Sequence, residues 1–359
     1  MRKTLCICCM LLALLFFACE KPALPPVETA APSPEPTPVE LPDEDVVETI
    51  VPETTAAPTL PPTPEPTPEP TPAPTPEPTP EPTPAPSPFG ILWLPDTQLL
   101  SYSYPEKLTA LGKEIAARRE PENLIAVVHT GDLVDNGFKD WEWDNFDLCL
   151  SAFSDDLPFY PIAGNHDLGV NLLQYTAYLK RPFLEKLPQD LNFGGGRMYA
   201  VPIERDDIRV LLLFVSWDCG KTDDERAWLD GIFAQYPDTP CILITHAFLK
   251  DDGSLHSRGA HLESYVVARH PNVKLVLCGH RRGAVTVTRS YDDDGDGTPD
   301  RTVHVLMLNR QTGSFQYRVL RFDPLTRAIE IRTYSLGKNE IQQTEGKNLL
   351  SFIKQQFGS

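Results

Sequence analysis

The sequence predicts a mixed α/β domain of two β-sheets flanked by helices, carried on a long proline-rich tether. Three observations lead there. Between residues 91 and 277, short apolar runs alternate with amphipathic or polar stretches of helical length. The last third changes to closely spaced strand-like segments joined by turns. Residues 20–88, in contrast, hold 25 of the 38 prolines and no apolar surface that could form a core.

The chain opens with Arg2 and Lys3 and then an apolar run ending at Ala18, the pattern of a signal peptide and too short for a comfortable membrane span. Ala18-Cys19 resembles the end of a bacterial lipobox, with Phe16 where leucine is usual. The expectation is a lipidated Cys19, an exported chain and anchorage at the outer face of the cell membrane; plain secretion is the alternative. Residues 19–88 then read as a disordered tether of polyproline II character. At about 3.1 Å per residue it reaches on the order of 200 Å. It also accounts for most of the net charge of −18, since residues 20–88 carry −12 and 89–359 only −8. No basic stretch marks a nucleic-acid surface. Cys149, Cys219, Cys241 and Cys278, which follow the leader, are widely spaced and read as buried free thiols.

Residues 89–359 are enough for one large core. Ile91–Leu94 reads as a buried strand, Pro105–Arg119 as a helix with Leu108, Leu111 and Ile115 on one face, and Leu124–Val128 as the next strand. A helix near Trp141–Phe153 and strand Phe159–Ile162 complete a βαβαβ unit, whose right-handed crossovers make the strands parallel. A polar helical stretch fills 170–187. Gly194-Gly195-Gly196 turns the chain into strands Met198–Pro202 and Ile208–Ser216. Helix Thr222–Phe233, strand Cys241–Ile244, helix 262–269 and strand Val273–Leu277 follow. Ala284–Arg289, Thr302–Leu308, Phe315–Phe322 and Ala328–Tyr334 read as successive antiparallel strands, and Glu340–Phe357 as an outer polar helix.

Four segments carry metal-ligand chemistry directly after apolar strands: Asp96-Thr97-Gln98, Gly131-Asp132, Gly164-Asn165-His166-Asp167 and Gly279-His280, with Thr245-His246 as a fifth. Loops at the carboxyl ends of such strands are where α/β folds hold ligands. Carboxylate, carboxamide and imidazole gathered there make a site for divalent transition metals. The ordered segments resemble the calcineurin-like metallophosphoesterases over about 96–282. That resemblance implies a four-layer αββα sandwich and two metals (Mn, Fe or Zn) that activate water against a phosphomonoester or phosphodiester. It implies Asp96 on the first metal, Asp132 bridging, and Asn165, His246 and His280 on the second. His166 would stabilise phosphoryl oxygens or protonate the leaving group, with Asp167 orienting its imidazole.

Two departures strike the first metal. Gln98 stands where the family has histidine, and Arg282 replaces the second histidine of GHxH. Three readings are open: a weakened first site, which is favoured; replacement of the lost ligand by His129, His256, His261 or His304; or Arg282 acting on phosphate as a fixed cation. His129 is expected to orient or pack behind the ligands, and His304 to be structural. Asn136 is expected either to touch substrate or to cap the following helix, and Trp141 and Trp143 to pack in the core or on helices. Asp292, Asp294, Asp296 and Asp300 resemble the front half of a calcium loop, without the usual glutamate at its end, and two readings are open, a Ca²⁺ site or a solvated hairpin tip. No nucleophile-elbow or Cys/His pattern supports a serine or cysteine hydrolase. The degenerate GHRR sequence keeps a second function open: a catalytically weak, surface-displayed binding protein on the same fold.

Overall fold

A parallel three-strand unit is laid down first. β1 (Phe89–Leu94), β2 (Leu124–His129) and β3 (Phe159–Pro161) pair in parallel in a computed structural model that describes residues 86–338 except 170, 171 and 174. The leader, Cys19, the tether up to residue 85 and the expected helix 340–357 lie outside the described residues. β11 (Gln316–Asp323) adds antiparallel to β1, and β12 (Ala328–Ser335) adds antiparallel to β11, giving the five-stranded order β12-β11-β1-β2-β3. The second sheet runs β4-β5-β6-β7-β8-β10-β9. Its members are β4 (Asn192–Phe193), β5 (Met198–Arg205), β6 (Ile208–Val215), β7 (Cys241–Thr245), β8 (Val273–Cys278), β9 (Gly283–Tyr291) and β10 (Arg301–Asn309). The run β6-β7-β8-β10 is parallel.

Helices cover the outer faces. In α2 (Pro105–Arg118), Pro105 sits in the first turn, where its missing N–H costs nothing, and Leu108, Leu111 and Ile115 are buried. α3 (Asp140–Leu150) buries Trp143, Phe146 and Cys149 in the same core as β1 and β2. α6 (Asp223–Gln235) begins with a capping box: the Glu225 N–H donates to Thr222 Oγ1 at 3.2 Å, and the Thr222 N–H donates to Glu225 Oε2 at 3.0 Å. Leu229, Ile232 and Phe233 of α6, with Leu262 of α7 (Ser257–Leu262), pack on the far face of the seven-stranded sheet. The result is the αββα sandwich. β6 shows the logic in one strand: Val210, Leu212 and Phe214 face the core between the sheets, whereas Leu211, Leu213 and Val215 face the helices. Burial on both faces explains its unbroken apolar run.

Three sequence readings need correction. The last four strands are not one antiparallel series. β9 and β10 form a hairpin, as do β11 and β12, but β10 lies parallel to β8 while β11 crosses to β1 in the other sheet. Local alternation shows a strand but not its partner. The helix expected at 262–269 is α7 followed by a π-helical segment, Glu263–Val267. The stretch 170–187 is broken into α5 (Tyr175–Tyr178) and a 3₁₀ turn at Pro182–Lys186, which Pro182 opens. The cysteine reading agrees with the structure: Cys149, Cys219, Cys241 and Cys278 are all buried and free.

Phe214 stacks on Tyr199 with ring centroids 4.4 Å apart, and the Tyr199 hydroxyl donates to the Pro161 carbonyl across the sandwich at 2.6 Å. Phe214→Ala should therefore cost about 3–5 kcal/mol in urea denaturation of the full chain. Leu325→Ala, at a side chain that is 77% exposed, should stay within about 0.5 kcal/mol. Equal losses would contradict the placement of the core between the sheets.

Candidate metal centre

The parallel strands of both sheets deliver their carboxyl ends to one edge. Asp96 follows β1, Asp132 follows β2, Asn165 opens the short helix α4 (Asn165–Leu168) after β3, His246 follows β7 and His280 follows β8. Backbone constraints sharpen the turns. Asp132 and His280 both adopt left-handed conformations, with φ of 56° and 68°, which non-glycine residues rarely do. Two neighbouring glycines are required by close approach. A Cβ on Gly164 would lie 2.2 Å from Asp132 Oδ1, and one on Gly279 would lie 2.1 Å from Asp96 Oδ1. The motif glycines thus let the carboxylates sit against neighbouring backbone.

His246 is the hub. Its Nδ1 lies 2.8 Å from the Thr130 carbonyl, which requires the proton on Nδ1, so that the neutral ring carries its lone pair on Nε2. That Nε2 stands 3.1 Å from Asp132 Oδ2, 3.1 Å from Asn165 Oδ1 and 3.2 Å from His280 Nδ1. Asp132, His246 and His280 each offer one ligand atom, and these lie within 4.8 Å of one another. Two imidazoles, a carboxylate and a neutral carboxamide converging in this way fit a divalent transition ion, and the carbonyl behind His246 is the usual support for a ligating histidine.

The electrostatics agree. Burial opposes protonation of His246, but the adjacent Asp132 and then Asp96 outweigh it and raise its pKa to about 9. Burial would raise Asp132, yet His246 and His166 hold it below the ordinary carboxylate range. Asp96, fully buried and near Asp132, is pushed up to about 7. His280 is lowered to about 3 by burial and then by His246, so it is a neutral ligand. The pocket's field therefore favours a cation between these groups.

The first position is poorer. Arg282 is exposed and lines a cleft with Asn309, Arg310, Gln311 and Ser314, and a guanidinium does not ligate a metal. Its place beside Asp96 is taken by Asn309, a buried residue absent from the sequence reading. Asn309 Nδ2 donates to Asp96 Oδ2 at 2.6 Å, and the His280 N–H donates to the same carboxylate at 3.1 and 3.2 Å. Gln98 Nε2 donates to Asp132 Oδ2 at 3.3 Å, and its buried Oε1 has no partner among the described residues. That orphan oxygen, with Asp96 and Asp132, makes an oxygen-only set weaker for transition ions than the two-imidazole position. Asn309 had one signal: it ends β10, parallel to β8, at this same edge.

The other expected residues separate by position. His166 is 40% exposed at the rim, its main-chain N–H donates to Asp132 Oδ1 at 2.9 Å, and its Nδ1 is held by the Asp135 carbonyl at 3.0 Å and by Asp135 Oδ1 at 3.2 Å. Asp167, expected to orient that imidazole, instead accepts the N–H groups of Leu133, Val134 and Gly164 at 2.8–3.1 Å. It clamps the Asp132 loop to the Asn165 loop; Asp135 is what touches the ring. His129 bridges Thr97 Oγ1 and the Gly131 N–H behind the ligands, and burial holds it neutral, lowered to about 3. His304 is buried in β10 and His261 bonds the Gly220 carbonyl, so neither supplies the missing ligand. His256 does face the centre, its ring 5.1 Å from that of His280. Asn136 Oδ1 accepts the Phe138 N–H in the turn before α3. Trp143 is core, but Trp141 is exposed and leans on Tyr102 at 5.9 Å. Asp292, Asp294 and Asp300 converge at an exposed hairpin tip between β9 and β10, each offering an oxygen within 4.8 Å of the others; Asp296 stands outside that group.

Comparison with known proteins bears on this geometry. The chain is 31% identical over 256 residues to the uncharacterized protein YvnB of Bacillus subtilis, an alignment covering 69% of this chain and 20% of that protein. It is 28% identical over 164 residues to a probable glycerophosphodiester phosphodiesterase, GpdQ, of Arcobacter nitrofigilis, covering 43% of this chain and 55% of that one. The matched part thus spans about a fifth and about half of the lengths of these two relatives. In structure, the chain is similar to the purple acid phosphatase PPD1 of yellow lupin, with a TM-score of 0.50 and 11% identity over 71% of this chain and 53% of that one, a likeness of fold. The family description "Calcineurin-like phosphoesterase" matches residues 90–281. With its ligand-bearing loops at one edge of an αββα sandwich, the chain belongs to the calcineurin-like phosphoesterase family.

Proposed function

We propose that this chain hydrolyses phosphodiesters with a divalent ion held by Asp132, Asn165, His246 and His280. Family membership supports metal-dependent phosphoester hydrolysis in general. The observation that carries the reading is the convergence of Asp132 Oδ2, Asn165 Oδ1 and His280 Nδ1 on His246 Nε2 at 3.1–3.2 Å. An ion there supplies Lewis acidity toward a phosphoryl oxygen and acidifies water. The protein's part is orientation. Thr130 fixes the His246 tautomer, Asp167 holds the two ligand loops in register, and the neutral oxygen of Asn165 limits negative charge where the phosphate arrives. His166, with Nδ1 engaged by Asp135, keeps Nε2 for a phosphoryl or leaving-group oxygen. The diester preference is supported by the name of the Arcobacter relative.

Location is part of the proposal. The basic and apolar leader, Cys19 and the acidic polyproline tether support a domain held off the outer face of a membrane by a lipid on Cys19. Among the described residues, no helix is long and apolar enough to cross a membrane. Diesters outside the cell, such as nucleotides, wall polymers and lipid head groups, are the substrates such a domain would meet.

Bis-p-nitrophenyl phosphate given to the metal-stripped full chain should be turned over only after Mn²⁺ is restored. Asp132→Ala should abolish metal binding and turnover together, and turnover retained in that variant would contradict the assignment. His166→Ala should keep its metal while kcat falls by about 10²–10⁴; an unchanged kcat would remove His166 from the chemistry. Elemental analysis after dialysis should find one firmly held transition ion per chain, with Asn309→Asp raising occupancy of the first position. Two tightly held ions in the unaltered chain would overturn the reading of the first position.

A further inference from the structure

On the His280 side of the centre, a cation stands on an aromatic ring, with Asp218 and Glu225 in its field but no carboxylate among the described residues bonded to it. The Arg258 guanidinium lies over the Trp217 ring, 4.7 Å from its centroid. Trp217 in turn sits against the metal-ligand imidazoles, its centroid 5.1 Å from His280 and 5.7 Å from His246. Arg258 is half-buried, its Nη1 is out of solvent, and that nitrogen has no hydrogen-bond partner among the described residues. Its main-chain N–H donates to His256 Nδ1 at 3.2 Å, which ties it to the imidazole facing His280.

The carboxylates nearest Arg258 are already engaged. Asp218 accepts from Arg197 Nη2 at 2.6 Å, and Glu225 meets the same nitrogen at 3.1 Å while it caps α6. The remaining neighbours are mainly basic. Burial and then Arg281, His246, Arg258 and Lys250 keep His256 neutral, and Lys221 lies within the field of Arg258. Arg281 has a distant exposed partner, Asp251, at 3.7 Å. Lys221, Lys250, Arg258 and Arg281 thus gather on this wall in a domain of net charge −8. Trp217 and His256 add N–H donors: the indole nitrogen has no acceptor among the described residues, and a His256 ring that accepts at Nδ1 carries its proton on Nε2. Donors without acceptors, ordered by stacking beside a metal centre, are arranged to receive anionic oxygen.

We propose that Arg258, stacked on Trp217, is a specificity-determining subsite that binds a second anionic group of the substrate, carboxylate or phosphoryl, carried on one ester arm. This rests on the phosphodiesterase reading for the position of the hydrolysed phosphate. It narrows the substrate class to phosphodiesters carrying a further negative charge on one arm, as an anionic polyol or a repeating phosphate polymer does.

The test compares three esters by calorimetry on the Mn²⁺-loaded full chain: diphenyl phosphate, phenyl 4-carboxyphenyl phosphate and phenyl 4-phosphonophenyl phosphate. The unaltered chain should bind at least one charged-arm ester about tenfold more tightly than diphenyl phosphate, and which one identifies the anion. Arg258→Gln should bring that ratio close to one. Arg258→Lys, which keeps the charge but loses the planar stack, should keep only part of it. Equal affinity for all three esters, or a full preference surviving in Arg258→Gln with an unchanged melting temperature, would overturn the proposal. Affinity is read as KM for an ester that is turned over and as the calorimetric Kd for one that is not, so a chain that hydrolyses none of these esters would count against the phosphodiesterase reading and still decide the subsite.

Discussion

The structure turns on one imidazole. His246 reaches from β7 of the seven-stranded sheet to the carbonyl of Thr130 and the carboxylate of Asp132, both of which follow β2 of the five-stranded sheet. The bonds that orient a metal ligand therefore also join the two sheets at their carboxyl edge. Trp217 and Ala163 repeat the connection beside it: the Trp217 N–H donates to the Ala163 carbonyl at 2.9 Å, and the Ala163 N–H donates to Ser216 Oγ at 3.1 Å. A buried imidazole next to two buried carboxylates is costly unless each group is compensated, and a shared cation compensates all of them. Site and sandwich are held by the same interactions.

Around that hub the loops divide their tasks. Asp132 and His280 accept left-handed backbone, a local strain maintained only because surrounding contacts fix it. Asp167 spends both carboxylate oxygens on backbone N–H groups of its own and the preceding loop, so it stabilises the ligand geometry without touching the rim. The rim is left to His166 and Asp135 on one side and to Trp217, His256 and Arg258 on the other. Such a division lets rim residues vary the substrate while the ligand loops stay rigid.

The unequal metal positions follow from side-chain chemistry. Histidine at position 98 would bring an imidazole to the first position; glutamine brings an amide that prefers hydrogen bonds to carboxylates. With Arg282 turned to the surface, Asn309 satisfies Asp96 by donation. A buried carboxylate satisfied by amide and main-chain donors has less need of a cation than one facing only other carboxylates.

The family, the βαβαβ unit and the order of the ligand segments were legible in the residues alone. Strands buried on both faces read as apolar runs, and the glycines before Asp132, Asn165 and His280 mark the ligand loops in sequence, although the close approaches that require them run between loops. The sequence also showed both losses at the first metal, because a missing histidine is visible without coordinates. Tertiary structure alone decided what occupies the space those losses leave. Asn309 meets Asp96 across 213 residues of chain, and Arg258 meets Trp217 although α6 and β7 lie between them in sequence. The same holds for Asp167, adjacent to His166 in sequence yet turned away from its ring, and for β10 and β11, adjacent in sequence yet in different sheets. Sequence neighbourhood fixes backbone conformation within a few residues. Which side chains meet is set by strand pairing and packing, which are properties of the whole sandwich.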